Sequence, residues 1–141
     1  MNYLLDTCVI SELIKPKPEK SVAEWIKGIN ENFLFLSVLT LGEIHKGINK
    51  LPASKKRRTL ERWVSEDLCQ RFENRIITIT MEIARVWGEM QGKAESKGDT
   101  IPVIDGFLSA TAIAHDLTIV TRNTNDMAKT GVSIYNPWES L

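Results

Sequence analysis

Thiol and imidazole groups are scarce in this chain: it has two cysteines, Cys8 and Cys69, and two histidines, His45 and His115. Two widely separated thiols make neither a disulfide framework nor a paired metal-ligand spacing. A zinc site or a serine–histidine triad has little to draw on. An excess of one charge is also missing, because 18 lysines and arginines face 18 aspartates and glutamates. Nucleic-acid binding through bulk positive charge is thereby disfavoured, and only a local basic patch remains open. No apolar stretch approaches the roughly 18–20 residues of a membrane span. Met1–Asp6 lacks the basic start and apolar run of a signal peptide. The expectation is a soluble, cytoplasmic chain with no membrane partner.

What is present is ordinary globular composition, with 43% apolar and 26% charged residues over 141 positions. That length suits one domain, residues 1–141, able to bury roughly 68–70% of its unfolded surface without a staple. Tyr3-Leu4-Leu5 reads as a short buried strand ending at Asp6. Val22, Trp25, Ile26 and Ile29 follow helical spacing. Phe33-Leu34-Phe35-Leu36 reads as a second strand. Leu41, Ile44, Ile48 and Leu51 form a helix stopped by Pro52, and Leu60, Trp63, Val64, Leu68 and Phe72 another, started by Ser54 or Thr59. Arg75–Ile79 reads as a third strand. Ile83 to Ala94 gives a long helix ending at Gly98, and a further helix runs from about Val103 to His115. Leu117–Val120 is a fourth strand and Val132–Tyr135 a short fifth. Short unbroken apolar strands alternating with helices predict an α/β fold, a three-layer α/β/α domain around a mainly parallel sheet.

In such a sheet, ligands bind outside the carboxyl ends of the strands. Asp6 follows the first strand directly. Glu43 lies one to two helical turns after the second, Asp105 in the first turn of the helix before the fourth, and Asn123 and Asp126 just beyond the fourth. Each acid alone has an ordinary structural role: Asp6 as a helix cap, Glu43 on a solvated face, Asp105 against a helix dipole, Asp126 as a second cap. Jointly they place several hard oxygen ligands at one sheet edge. Such carboxylates repel one another unless a cation sits between them, and Mg²⁺ or Mn²⁺ suits that donor set.

The stretch Leu4-Leu5-Asp6-Thr7-Cys8-Val9-Ile10-Ser11-Glu12 resembles the opening of PIN-domain ribonucleases. Ser37-Val38-Leu39-Thr40-Leu41-Gly42-Glu43 is similar to their second block, Ile104–Ala112 to their third and Val120-Thr121-Arg122-Asn123 to their fourth. The order holds to the closing Asn136-Pro137-Trp138, and the likeness is nearest to VapC-type toxins of the FitB-like branch. The resemblance implies a PIN-like fold and an Mg²⁺-dependent endoribonuclease, with Mn²⁺ able to substitute. It also implies the toxin role in a type II toxin–antitoxin pair, a homodimer, and a small antitoxin whose tail blocks the acidic pocket. Carried over by position, it puts Asp6, Glu43 and Asp105 on the metal-binding acids. Many members have aspartate where this chain has Asn123, and Asp126 stands one helical turn away as a substitute. Members usually have asparagine where this chain has Cys8.

Metal chemistry then assigns roles: Glu43 completes the coordination or orients water as a base. The Thr7 and Ser11 hydroxyls stand close enough in sequence to Asp6 to hold the carboxylates, with a helix-cap role for Thr7 as the alternative. Between His45 and Arg62, Lys46, Lys50, Lys55, Lys56, Arg57, Arg58 and Arg62 face a single acid, Glu61. That run either grips RNA phosphates or is a solvated surface. Arg122 either contacts a phosphate or pairs with an acid. Trp25, Trp63 and Trp87 fall on apolar helix faces, so base stacking is not expected of them. Two other readings stay open: a haloacid-dehalogenase-like phosphotransferase, which wants an aspartate where Cys8 stands, and a non-enzymatic receiver-like or RNA-binding module.

Overall fold

A computed structural model describes residues 1–139. Five strands, β1 (Tyr3–Leu5), β2 (Leu34–Ser37), β3 (Ile76–Ile77), β4 (Thr118–Val120) and β5 (Ile134–Tyr135), form one sheet in the order β3-β2-β1-β4-β5. Every pairing is parallel, with Leu4 opposite Phe35 on one side and Ile119 on the other. The chain builds outward from β1 to β3 and then restarts beside β1 with β4. The order of strands therefore reverses between β1 and β4, and in open parallel sheets the carboxyl edge at such a switch point is where a ligand crevice lies.

Strand alternation decides which layer each side chain joins. Leu5 and Val120 point to one face, into a core with Val9, Val22, Leu36, Ile44 and Val64. Leu4 and Ile119 point to the other, against Leu108, Ala112, Met127 and Val132. Helices α1 (Thr7–Leu13), α2 (Lys20–Gly28), α3 (Val38–Asn49) and α4 (Lys55–Arg62) cover the first face. Helix α6 (Met81–Ser96) packs on α7 (Val103–His115), which with α8 (Thr124–Ala128) covers the second. The three-layer α/β/α arrangement expected from the sequence is the one observed. No helix among the described residues is long and apolar enough to cross a membrane.

Local chemistry explains the element boundaries. The Ser37 hydroxyl accepts from the Leu39 amide at 3.0 Å to start α3, and the Thr80 hydroxyl accepts from Ile83 at 3.2 Å to start α6. Ser54, rather than Thr59, caps α4 by accepting from the Arg57 amide at 3.2 Å. At the end of α7 the chain turns through Asp116, which has φ 54°.

Three expectations are corrected. The third strand pairs only over Ile76–Ile77 and not over Arg75–Ile79, because Thr78–Thr80 leave the sheet edge to enter the α6 cap. The helix expected through Phe72 is not uniform: a π-helical stretch, Trp63–Leu68, joins α4 to the short α5 (Cys69–Arg71). The second strand starts at Leu34, since Glu31–Phe33 form a 3₁₀ turn capped by Asn30.

Candidate active site

Asp6 closes β1 and opens α1 in one step. Its backbone N–H donates to the Val120 carbonyl at 3.0 Å, which continues the sheet for one more residue. Its Oδ1 then accepts from the Thr7 amide at 2.7 Å and caps the helix. The Thr121 hydroxyl donates to Oδ2 at 2.7 Å, and the Cys8 thiol approaches the same oxygen at 3.7 Å. The carboxylate is 8% exposed and held from three sides. The capping role and a place in the acidic crevice thus coexist in one residue. The cap belongs to Asp6, so Thr7 is the first helical residue and its hydroxyl is available elsewhere.

That hydroxyl donates to Glu43 Oε1 at 2.6 Å, joining α1 to α3. Glu43 is half-buried rather than on a solvated face. Across the crevice, Asp105 lies in the first turn of α7 and accepts from Asn123 Nδ2 at 3.0 Å. Burial pushes the Asp105 carboxyl up to about 6, and the charges of Asp6, Asp126 and Glu43 push in the same direction, against the Asn123 hydrogen bond. The other three acids are therefore near enough for their charge to reach Asp105. Asp126 sits in the first turn of α8, whose cap position is Asn123, and pairs with Lys129 at 3.7 Å. It is not itself a cap.

The remaining expected residues separate by position. Ser11 is exposed one turn beyond Thr7, at the rim of a cleft of about 190 Å³ that also includes Glu43, Ile44, Leu60 and Trp63. Lys46 and Lys50 are exposed on the last turn of α3 and at its end. Arg57 spends its guanidinium on Glu61 at 2.8 Å, Asn49 Oδ1 at 2.8 Å and the Leu51 carbonyl at 3.1 Å. Lys56 is exposed on the same helix, while Lys55, Arg58 and Arg62 border a shallow hollow with Thr59. Arg122 pairs with no acid among the described residues; its guanidinium lies 4.7 Å from the centroid of the Trp138 ring.

Thr121 carried no assigned role in the sequence. It is fully buried, donates to Asp6 and accepts from the Asn123 amide at 2.9 Å. It stands directly after β4, and its partner Asp6 directly after the neighbouring β1. Cys8 offers a weak S–H donor to Asp6. Burial, and next the Asp6 charge, raise the thiol above its usual range, so Cys8 is no thiolate nucleophile.

Among the described residues, no three His, Cys, Asp or Glu side chains stand close enough to share an ion as placed. The donor chemistry still fits a hard divalent cation. The donors that Thr121, Thr7 and Asn123 fix here are carboxylate oxygens, the kind such an ion takes.

An open parallel sheet with an acidic crevice at its switch point defines an α/β domain with one site at the carboxyl edge. Within that class the chain belongs to the PIN domain family, whose model matches residues 3–132. It is 32% identical over 136 residues to VapC ribonuclease Y4jK of Sinorhizobium fredii, covering 96% of this chain and 97% of that one. It is likewise 32% identical over 135 residues to Toxin FitB of Neisseria gonorrhoeae, covering 96% and 97%. The crystal structure of FitAcB from Neisseria gonorrhoeae superposes with a TM-score of 0.93 at 31% identity, over 98% of this chain and 99% of that chain.

Proposed function

We propose that this chain is a divalent-metal-dependent endoribonuclease and the toxin of a toxin–antitoxin pair. The observation that carries the reading is the set of acids each fixed by a hydrogen bond from a neighbouring element, Asp6 by Thr121, Glu43 by Thr7 and Asp105 by Asn123. Relatives named ribonuclease and toxin, matched over nearly their whole length, support it. Asp6, Asp105 and Glu43 would hold Mg²⁺, or Mn²⁺ in its place, with Asp126 and Asn123 at the margin. Such an ion, when bound, lowers the pKa of water, polarises a phosphodiester and offsets charge on the leaving oxygen.

The chain's own groups do the positioning. Thr121 and the α1 amide fix the Asp6 carboxylate, so little reorganisation is left for the moment of reaction. The Thr7 hydroxyl fixes one Glu43 oxygen and leaves the other to accept a proton from an attacking water. Asn123 steadies Asp105 with an amide and adds no negative charge. Lys46, Lys50, Lys55, Lys56, Arg58 and Arg122 supply cations for RNA phosphates, whereas Arg57 is committed to the α3–α4 junction.

A chain that cuts its host's RNA must be held inactive where it is made. A small antitoxin bringing an arginine or lysine into the crevice would do this by replacing the cation. We place the toxin in a homodimer, as the family likeness implies. The deciding experiment is loss of labelled RNA with Mn²⁺, blocked by EDTA and absent in Asp105→Asn, with no phosphate released from small phosphoesters. Metal-independent cutting, or none by the wild type, would overturn the reading.

A further inference from the structure

Four of the seven arginines of this chain are spent, and Arg58 and Arg62 lie on the exposed basic run. Arg57, Arg71 and Arg85 each pair with a glutamate, and Arg75 donates to the carbonyls of Glu31, Leu34 and Arg71. Arg122 differs. It is exposed, stands between Thr121, which holds Asp6, and Asn123, which holds Asp105, and pairs with neither acid. Its guanidinium rests instead on the face of Trp138, 4.7 Å from the ring centroid. A guanidinium held over a ring makes no ion pair there and keeps N–H groups for a pair of oxygens.

Trp138 is itself fastened. Its amide donates to Asn136 Oδ1 at 2.9 Å, Pro137 before it is buried, and the ring packs on the α1–α3 core. The indole N–H points toward the buried Glu12 carboxylate on α1, short of a full hydrogen bond. The platform under Arg122 is thus built on the helix that Asp6 caps. Arg122 lies over this ring and on neither Asp6 nor Asp105, so its charge stays available to another anion.

Resting on the ribonuclease reading, we propose that Arg122 seats an RNA phosphate beside the acidic crevice, and that Trp138 is the positioning residue holding it there. The basic run from Lys46 to Arg62 then grips the strand at a distance, while Arg122 sets its register at the cut. Trp138 touches no substrate in this scheme and acts only through Arg122.

The test is a double-mutant cycle on binding of a short single-stranded RNA, in the Asp105→Asn background to prevent cutting. Removal of one charge-assisted hydrogen bond predicts about tenfold weaker binding for Arg122→Ala. The log–log salt slope should become shallower by about 0.7. Trp138→Phe keeps an aromatic face and is expected within about twofold of the parent. Trp138→Leu should weaken binding several-fold when Arg122 is present and not at all when it is alanine. A Trp138→Leu effect of equal size in both backgrounds would make Trp138 merely structural, and an unchanged slope for Arg122→Ala would remove the phosphate seat. Failure of the parent to bind RNA at low salt would overturn the ribonuclease reading as well, which separates the two cases.

Discussion

The Thr7 hydroxyl and the Glu43 carboxylate meet at 2.6 Å, one from the first residue of α1 and the other from the second turn of α3. The two helices follow adjacent strands, so this bond ties the carboxyl ends of β1 and β2 to a single geometry. Hydrogen bonds to charged groups contribute roughly 1.5–3 kcal/mol. Removing this one with Thr7→Val, which keeps the shape, should lower kcat/KM for RNA cleavage by about tenfold or more. Thr7→Ser should retain most of the activity. Equal rates for the valine and wild-type enzymes would mean that Glu43 needs no such support.

Asp105 supplies a pH prediction whose sign is definite. Its carboxyl titrates near 6 in the folded chain against an ordinary value of 3.8, so the folded state binds the proton more tightly than the unfolded one. That contribution to stability is fully present below about pH 3.8 and is lost as pH rises through about 6. Asp105→Asn carries no titrating group and no charge against Asp6, Asp126 and Glu43. It should melt at a higher temperature than wild type at pH 7, with the difference shrinking toward pH 4. Thermal melts of both proteins across that range check it. A mutant that is less stable at pH 7 would show that the repulsion is already relieved.

The same titration governs metal uptake. An ion held by Asp105 must displace its proton, so Mn²⁺ affinity should climb between pH 5 and 7 and binding should release protons at the lower end. Calorimetry in buffers of different ionisation enthalpy reads that release directly. Metal should also raise the melting temperature and EDTA reverse the rise, because the separated ligands of an unfolded chain hold no ion. A melting curve indifferent to Mn²⁺ would argue that the crevice holds none.

Much of this was legible before the fold was known, and the reasons are physical. Helix α7 spans the expected Val103–His115 because Pro102 starts it and the chain past His115 needs a left-handed residue. The strands flanking β1 were legible because burial on both faces leaves continuous apolar runs. Edge and junction features were not. Residues Thr78 and Ile79 look like strand in composition, yet only a neighbour decides pairing, and β3 has one. The π-helical stretch at Trp63–Leu68 keeps an apolar face, so periodicity alone reads it as α-helix. At the site, acids at strand ends were readable from position. The Thr121 bond to Asp6 joins residues 115 apart in sequence, and nothing local announces it.

Gly106 tests how tightly the site is backed. It follows Asp105 in α7, where a Cβ would stand 3.1 Å from both Gln91 Oε1 and Trp87 Nε1. Trp87 cannot easily yield, since its ring is stacked on Phe107 at 4.6 Å. Alanine in a helix gains about 1 kcal/mol over glycine. Overpacking typically costs about 1–3 kcal/mol. The clash should therefore match or exceed the gain, giving a Gly106→Ala protein no more stable than wild type and with weaker Mn²⁺ binding, because Asp105 moves with the helix. A clear rise in melting temperature would show that α6 and α7 separate freely.

The basic run divides into a structural and an electrostatic part, and the two can be told apart. Arg57 bonds Asn49, the Leu51 carbonyl and Glu61, which closes the turn between α3 and α4. Its neighbours Lys55, Lys56 and Arg58 are exposed, and none forms an ion pair among the described residues. Arg57→Ala should therefore destabilise the fold by about 1–2 kcal/mol. Its effect on the salt dependence of RNA binding should be small, since a guanidinium already paired adds little to the grip on phosphates. The triple alanine substitution of Lys55, Lys56 and Arg58 should do the reverse. Stability stays within about 0.5 kcal/mol, while the log–log slope falls by about 0.7 for each phosphate no longer neutralised. Urea denaturation and RNA titrations on the two variants separate the outcomes. If the triple variant bound RNA with an unchanged slope, this helix would be a solvated surface, and the grip on the strand would have to come from elsewhere on the molecule.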